Sequence, residues 1–390
     1  MKHVRRMLFS LILISNMLLC GCWNYHDIEK YSLVLGFAID RNEQENSYLL
    51  TAEVLDFEMS GKEAKPTSKL IESKGNSVFD AIRNMLKLTE KRLYWGHADT
   101  VIFSQDIAKE GIIPVLDLIF RDAEMREEMH VVISKEKTAK ELLEQQTMIS
   151  TLRSTEIDRI LNSQGSLAKA PVVEAYELIN ELEGEGISAA LPAMGIATNA
   201  GKKTVELMGT ALFKSDKLIG FIDSEETKYF LFVINKVNRG LLIQNESPEN
   251  QMNKITLEIF KTKTKTKPEY YDGKVVMDID IKTEVAIAEM ETSMDYIKDV
   301  NRSKLKKDAE ASLKSSVKNI IKKIQDNYDT DIFGFGMLVS ANMPSLWDSI
   351  GPDWDHLFKK LDVNVNVDIS IRNSALVSKS IRKESIRKEN

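Results

Sequence analysis

One thiol in this chain sits where covalent chemistry is expected. Lys2, Arg5 and Arg6 open the sequence. An apolar run from Met7 to Leu19 follows, broken only by Ser10, Ser15 and Asn16, and it leads into Leu19-Cys20-Gly21-Cys22. A basic start, a short apolar stretch and a small-residue end are the layout of a secretory signal, and the stretch is too short for a comfortable membrane span. Leu19 and Gly21 supply the apolar and the small residue that must precede a lipidated cysteine. Cys22 is therefore read as the residue whose thiol takes a diacylglyceryl thioether and whose amine, freed by cleavage after Gly21, takes an N-acyl chain. Cys20 fits less well, because the bulky Leu19 would stand directly before it. The other readings are an uncleaved anchor or an ordinary signal with an incidental cysteine. On the lipoprotein reading, residues 1–21 are lost and acyl chains hold the body at a membrane face, each buried CH₂ contributing about 0.8 kcal/mol.

Other residue types that could do chemistry are present but not grouped. The expected mature chain has four histidines, His26, His97, His130 and His356, none at the spacing of a metal pair. There is no glycine-rich phosphate loop before a helix and no Gly-x-Ser-x-Gly elbow. His97, in Tyr94-Trp95-Gly96-His97-Ala98-Asp99, is the most site-like, at a helix-to-strand junction, and is read as a structural or interface residue. His130 is expected on the face of a strand. Glu124, Glu127 and Glu128 read as a solvated connection. A pair of carboxylates of the glycosidase kind stays open, with nothing singling one out. The expectation is no enzyme, no catalytic residue, no metal and no cofactor beyond the lipid on Cys22; any ligand-binding residues stay unknown.

The composition describes a globular body. The 390 residues are 43% hydrophobic and 29% charged, and after Cys22 no apolar run is long enough to cross a membrane. Loss of Lys2, Arg5 and Arg6 moves the net charge from −6 to −9. An acidic body argues against a general nucleic-acid binder. Loss of Cys20 leaves Cys22 alone, so no disulfide is expected.

The elements that would carry these residues read as α+β, in three consecutive mixed units with largely antiparallel or mixed sheets. The first, 22–135, is expected in the order ββαβαβ. Ser32 to Asp40 and Asn46 to Phe57 form a hairpin, and a polar loop runs from Ser60 to Lys69. A helix capped by Asn76 or Ser77, a strand from Ala98, a helix from Gly111 and a strand from Met129 follow. The middle unit, 136–250, starts with short helices and continues with strands at Ser188 to Ala197, Thr204 to Phe213 and Leu218 to Ile222. The last unit, 251–378, is again expected as ββαβαβ. It opens with two long strands and the helix Arg302 to Asn327. A strand at Ile332 to Ser340, a helical stretch from Pro344 and a final alternating strand to Ile371 complete it. The Lys/Thr alternation from Lys261 to Lys267 reads as a solvated face or a protected edge, with a basic patch for anionic headgroups as the functional alternative. Residues 379–390 form a charged tail. Trp23 and Tyr25 lie either in the headgroup zone or against the first unit.

The sequence resembles the Ger(x)C family, the C subunits of spore germinant receptors, over nearly the whole mature chain. The resemblance is carried by Gly21-Cys22-Trp23-Asn24-Tyr25-His26-Asp27-Ile28-Glu29 and Gly36-Phe37-Ala38-Ile39-Asp40. Further along it is carried by Tyr94-Trp95-Gly96-His97, Asp106 to Ile112 and Arg121-Asp122. Gly209-Thr210-Ala211-Leu212-Phe213-Lys214 with Leu218-Ile219-Gly220, and Trp354-Asp355 with the strand to Arg372, complete the set. Ala375 departs from it, where a glycine is expected. The resemblance implies three α+β domains and a lipoprotein on the outer face of the spore inner membrane. It also implies an A subunit and a permease-like B subunit as partners in a nutrient receptor. It supplies no catalytic residues. The competing reading is a solute-binding lipoprotein of a transporter, which would show two doubly wound lobes.

Overall fold

The computed structural model describes residues 3–7, 30–42, 44–60, 63–245, 254–291 and 299–372. Cys22, the stretch to Glu29, Ala375, the tail and most of the expected signal lie outside the described residues. Secondary structure is α+β throughout, as expected.

The first sheet is built on β1 (Tyr31–Asn42), whose residues from Val34 to Asp40 are all buried. A strand this continuously apolar needs cover on both faces, and it has it. Phe37 and Ile39 of β1 enter one core, with Val101 and Phe103 of β5 (Thr100–Phe103) and Val131 and Ile133 of β6 (His130–Ser134). Ala38, Ile102 and Val132, one residue out of phase, enter a second core on the opposite face. Helices Val78–Met85, Ile113–Arg121 and Ala175–Glu183 cover the first face. Helices Lys140–Glu144 and Arg153–Asn162 cover the second.

β2 (Ser47–Ser60) pairs antiparallel with β1, as the hairpin reading expects. The expected polar loop at Ser60 to Lys69 is instead mostly strand. β3 (Glu63–Gly75) runs beside β2 from Ser60↔Glu63 to Tyr48↔Gly75. It is polar because it is an edge strand with a solvated face, where Pro66 is tolerated. β4 (Arg92–Tyr94) adds to β1 in parallel.

The sheet does not stop at the expected border between 135 and 136. β6 pairs in parallel with β7 (Ala190–Asn199) through Ile133↔Ala193 and Ser134↔Met194. β8 (Lys202–Lys214) and β9 (Lys217–Ile222) complete the order β3-β2-β1-β5-β6-β7-β8-β9. Two buried carboxylates on the first strands also cap the helices that follow that border. Asp40 accepts from the backbone N–H of Ala139 at 2.6 Å and Lys140 at 3.1 Å. Glu53, fully buried, accepts from Arg153 N–H at 2.7 Å and Ser154 N–H at 2.6 Å.

The second sheet has the order β10-β11-β12-β13. β10 (Gly240–Asn245) pairs with β11 (Lys254–Tyr271), so the expected border between 250 and 251 also falls within a sheet. β12 (Lys274–Met290) pairs antiparallel with β11 and parallel with β13 (Asp362–Ile371). The helix Asp299–Asn327 makes the crossover and buries Leu305, Ala309, Leu313, Val317, Ile320, Ile321 and Ile324 in the core beneath the sheet. Lys261, Lys263, Lys265 and Lys267 all point to solvent. On the edge of β11 beyond β10, Thr264 N–H is taken by Asn235 Oδ1 at 2.7 Å, which blocks pairing there.

The expected strand at Ile332 to Ser340 is a helix, Phe335–Asn342. Gly334, at φ +71°, turns the chain into it, and Asp331 accepts from Phe333 and Gly336 N–H at its start. A Phe-Gly-Phe-Gly run has no clear period, and here the local caps decide it. The two ends of the chain therefore do not repeat one ββαβαβ order.

Candidate functional site

Among the described residues the histidines do not assemble a reaction centre. His97 is exposed, its ring edge-on to Tyr94 at 5.8 Å. The half-buried carboxyl of Asp99 is pushed up by burial and by the nearby Asp158 charge. His130 is buried, with Nδ1 2.9 Å from Asp158 Oδ1, and its backbone N–H donates to Asp99 O at 2.9 Å. His356 lies on the surface, Nε2 at 3.2 Å from Lys360 Nζ. Glu124 binds Arg92, and Glu128 lies 3.6 Å from Arg126. Among the described residues no group of three or more His, Cys, Asp or Glu is placed to hold a metal ion.

What does assemble is the set of short motifs from the second half of the chain. Gly209 to Lys214 on β8, Leu218 to Gly220 on β9 and Trp354-Asp355 meet at the seam between the two sheets. Gly209, at φ +108°, lies so close to the β9 end that an added Cβ would stand 2.1 Å from Ile222 O. At Gly220 an added Cβ would stand 2.4 Å from the ring of Tyr328, whose hydroxyl donates to Phe221 O at 3.0 Å. Thr330 Oγ1 donates to Phe213 O at 3.0 Å and lies 2.7 Å from Ser188 Oγ, whose hydroxyl can donate to it. Ser188 N–H donates to Asp331 O at 2.8 Å.

At the centre is the Asp331 carboxylate, 2% exposed. Oδ2 accepts from Trp354 Nε1 at 3.0 Å and Gly336 N–H at 2.8 Å, and Oδ1 accepts from Phe333 N–H at 3.0 Å. Burial pushes the carboxyl up to about 6, and these donors pull against it. Lys214 reaches across from β8, with Nζ 3.1 Å from Asp355 Oδ2, 3.4 Å from Asp329 Oδ2 and 3.0 Å from Asp329 O. Burial presses on its ammonium, but the two carboxylates outweigh it and hold the group above the usual lysine range. An open polar cleft of about 470 Å³ runs over this cluster, lined by Lys214, Asp329, Asp331, Asp353, Asp355 and His356.

The sequence reading singled out Lys214 and Trp354-Asp355 but not Asp329, Thr330 and Asp331. The available signal was a polar triplet set directly against an apolar run. The arrangement has charge, directional hydrogen bonds and close backbone contact, which serve to fix two sheets together and to present a polar surface. The fold and seam thus define a two-sheet α+β protein.

Comparison with known proteins agrees. Residues 24–196 match the family described as "Spore germination protein N-terminal domain", and residues 208–375 match "Spore germination B3/ GerAC like, C-terminal". Spore germination protein B3 of Bacillus subtilis (strain 168) is 24% identical over 95% of this chain and 98% of its own length. Spore germination protein KC of the same organism is 22% identical over 97% and 98%. The crystal structure of the GerBC protein shares the fold, with a TM-score of 0.56 and 22% identity, over 87% of this chain and 97% of that one. The chain belongs to the Ger(x)C family of spore germination proteins.

Proposed function

We propose that this chain is the lipid-anchored C subunit of a nutrient germinant receptor, held by Cys22 on the outer face of the spore inner membrane. It works there with an A subunit and a permease-like B subunit, and its task is assembly or signal transmission. The observation that carries this reading is the match to spore germination families along both halves of the chain. The seam supports it, because the motif residues Lys214, Trp354 and Asp355 meet in one joint. Among the described residues no helix is long and apolar enough to cross a membrane, and on this reading the lipid on Cys22 holds the chain at the bilayer. The role proposed is non-catalytic, with the Asp331 cluster holding the two sheets together. The solute-binding alternative gains no support, because the strand orders do not form two doubly wound lobes.

Deleting the gene for this chain tests the reading. The expected result is loss of germination through the cognate receptor, with the A and B subunits depleted from spore membranes or inactive in them. Full germination with both subunits retained would overturn it.

A further inference from the structure

The end of the first sheet at which the N-terminal chain enters carries an unexplained apolar crown. The pairing of β2 with β1 reaches only to Val34↔Val54 at this end, while β2 and β3 stay paired out to Ser60↔Glu63. Six residues of hairpin therefore overhang Val54, about 20 Å of strand. Tyr31, where β1 begins, is three residues back from Val34 and so only about 10 Å along the same direction. The hairpin tip projects past the point of chain entry. On one face of that tip Phe57 is 59% and Met59 68% exposed. On the other face Asp56 pairs with Lys69. The loop that follows helix Val78–Met85 leads into β4, whose Arg92 lies beside Tyr31 at this same end, and on that loop Leu86 is 46% and Leu88 63% exposed.

We propose that this end, with Phe57 and Met59 on the hairpin and Leu86 and Leu88 on the adjoining loop, docks into the interfacial zone of the lipid bilayer. The occupant follows from where the chain leads. Cys22 precedes Lys30 by only eight residues, which span at most about 28 Å, so an anchor at Cys22 keeps this end within reach of the headgroups. The charges among the described residues here nearly cancel. Lys69 pairs with Asp56 and Arg92 with Glu124, and Lys30, Lys65, Lys87 and Lys91 exceed Glu58, Glu63 and Glu90 by a single charge. Docking is therefore by apolar insertion, and neither salt nor anionic lipid is needed. The inference rests on the Cys22 anchor reading, and it adds an orientation: the first sheet stands end-on to the bilayer.

The test uses the chain from Cys22 onward, coupled through that thiol to maleimide-bearing phosphatidylcholine vesicles. Emission of a Phe57→Trp variant is compared with that of the parent. The expected result is a blue shift of the added tryptophan and its quenching by bromine-labelled lipid, both unchanged at high salt. Replacing Met59, Leu86 and Leu88 with serine should abolish both, in a protein whose far-ultraviolet circular dichroism is unaltered. An added tryptophan that stays solvent-like on vesicle-bound protein overturns the proposal, as does quenching that disappears in salt. Chemical coupling bypasses cellular lipidation, so mass spectrometry of Cys22 from spores tests the anchor reading separately.

Discussion

The Trp354 indole N–H meets the Asp331 carboxylate at 3.0 Å inside the seam, where the two side chains are 4% and 2% exposed. Trp354 also packs against Trp347 at 5.4 Å between ring centroids, and Trp347 Nε1 donates to Glu185 at 2.8 Å. An added Cβ at Gly336 would stand 2.6 Å from Trp354 Nε1, so the glycine is what lets the indole reach Asp331. Trp354→Phe keeps most of the bulk and removes the donor. Hydrogen bonds to charged groups contribute about 1.5–3 kcal/mol, and a urea denaturation midpoint should fall by the equivalent amount.

Asp331 also sets a pH dependence. Its folded value of about 6 lies above the unfolded 3.8, so the folded state binds the proton more tightly. Its contribution is most favourable below pH 4, declines as pH rises to about 6, and is level above. A displacement of about two units is on the order of 3 kcal/mol. Glu181 acts the same way. Burial raises it to about 7, Lys236 pulls it down and Glu177 adds to the rise. Denaturation midpoints of Asp331→Asn and Glu181→Gln across pH 5 to 8 should slope less than those of the parent. Parallel slopes would contradict this assignment.

At Gly36 the helix Arg153–Asn162 comes directly onto β1. A Cβ there would stand 2.4 Å from Ser154 Oγ and 2.9 Å from Thr100 O. Gly36→Ala should cost about 1–3 kcal/mol through overpacking. Ser154→Gly in the same chain removes the first obstacle, so the double variant should recover part of the loss in a double-mutant cycle. Additive losses would mean that the helix does not approach as described.

Glu53, on β2, ties the same helix to the strand beside β1 electrostatically. Glu53→Ala leaves Arg153 and Ser154 N–H without their acceptor and removes the partner of Ser68 Oγ. Loss of one partner from a buried charged network costs about 3–5 kcal/mol. Hydrogen exchange should speed up first in residues 153–162. A fragment ending at residue 135 should fail to fold, because Ala38, Ile102 and Val132 would lose the helices that cover them.

These elements show what could be read from the chain. Strict alternation in Val275 to Ile287 and Val363 to Ile371, and the stripe on Arg302 to Asn327, named their own structures, since one period dominated each. The borders were not legible in the same way. β1, β5 and β6 announce that both faces are covered, but nothing local says that the cover comes from helices a hundred residues on. That cover is written in Asp40 and Glu53, acids inside apolar strands, whose partners are backbone N–H groups and leave no mark in the sequence. β3 was hidden by its polarity, because an edge strand and a loop share a composition. The seam was half legible. Lys214 and Trp354 stood out by resemblance, while Asp331 became visible only once Trp354 and Gly336 closed around it. Cys22 remains a reading of sequence alone.

The most direct measurement is a pull-down of this chain from detergent-solubilised spore membranes, with wild type and Cys22→Ala compared. The account predicts an A-type and a permease-like B-type germination protein with the wild type, lost or weakened in the variant. Recovery of a transporter's membrane and ATPase subunits, or of the same partners from both proteins at equal yield, would contradict it.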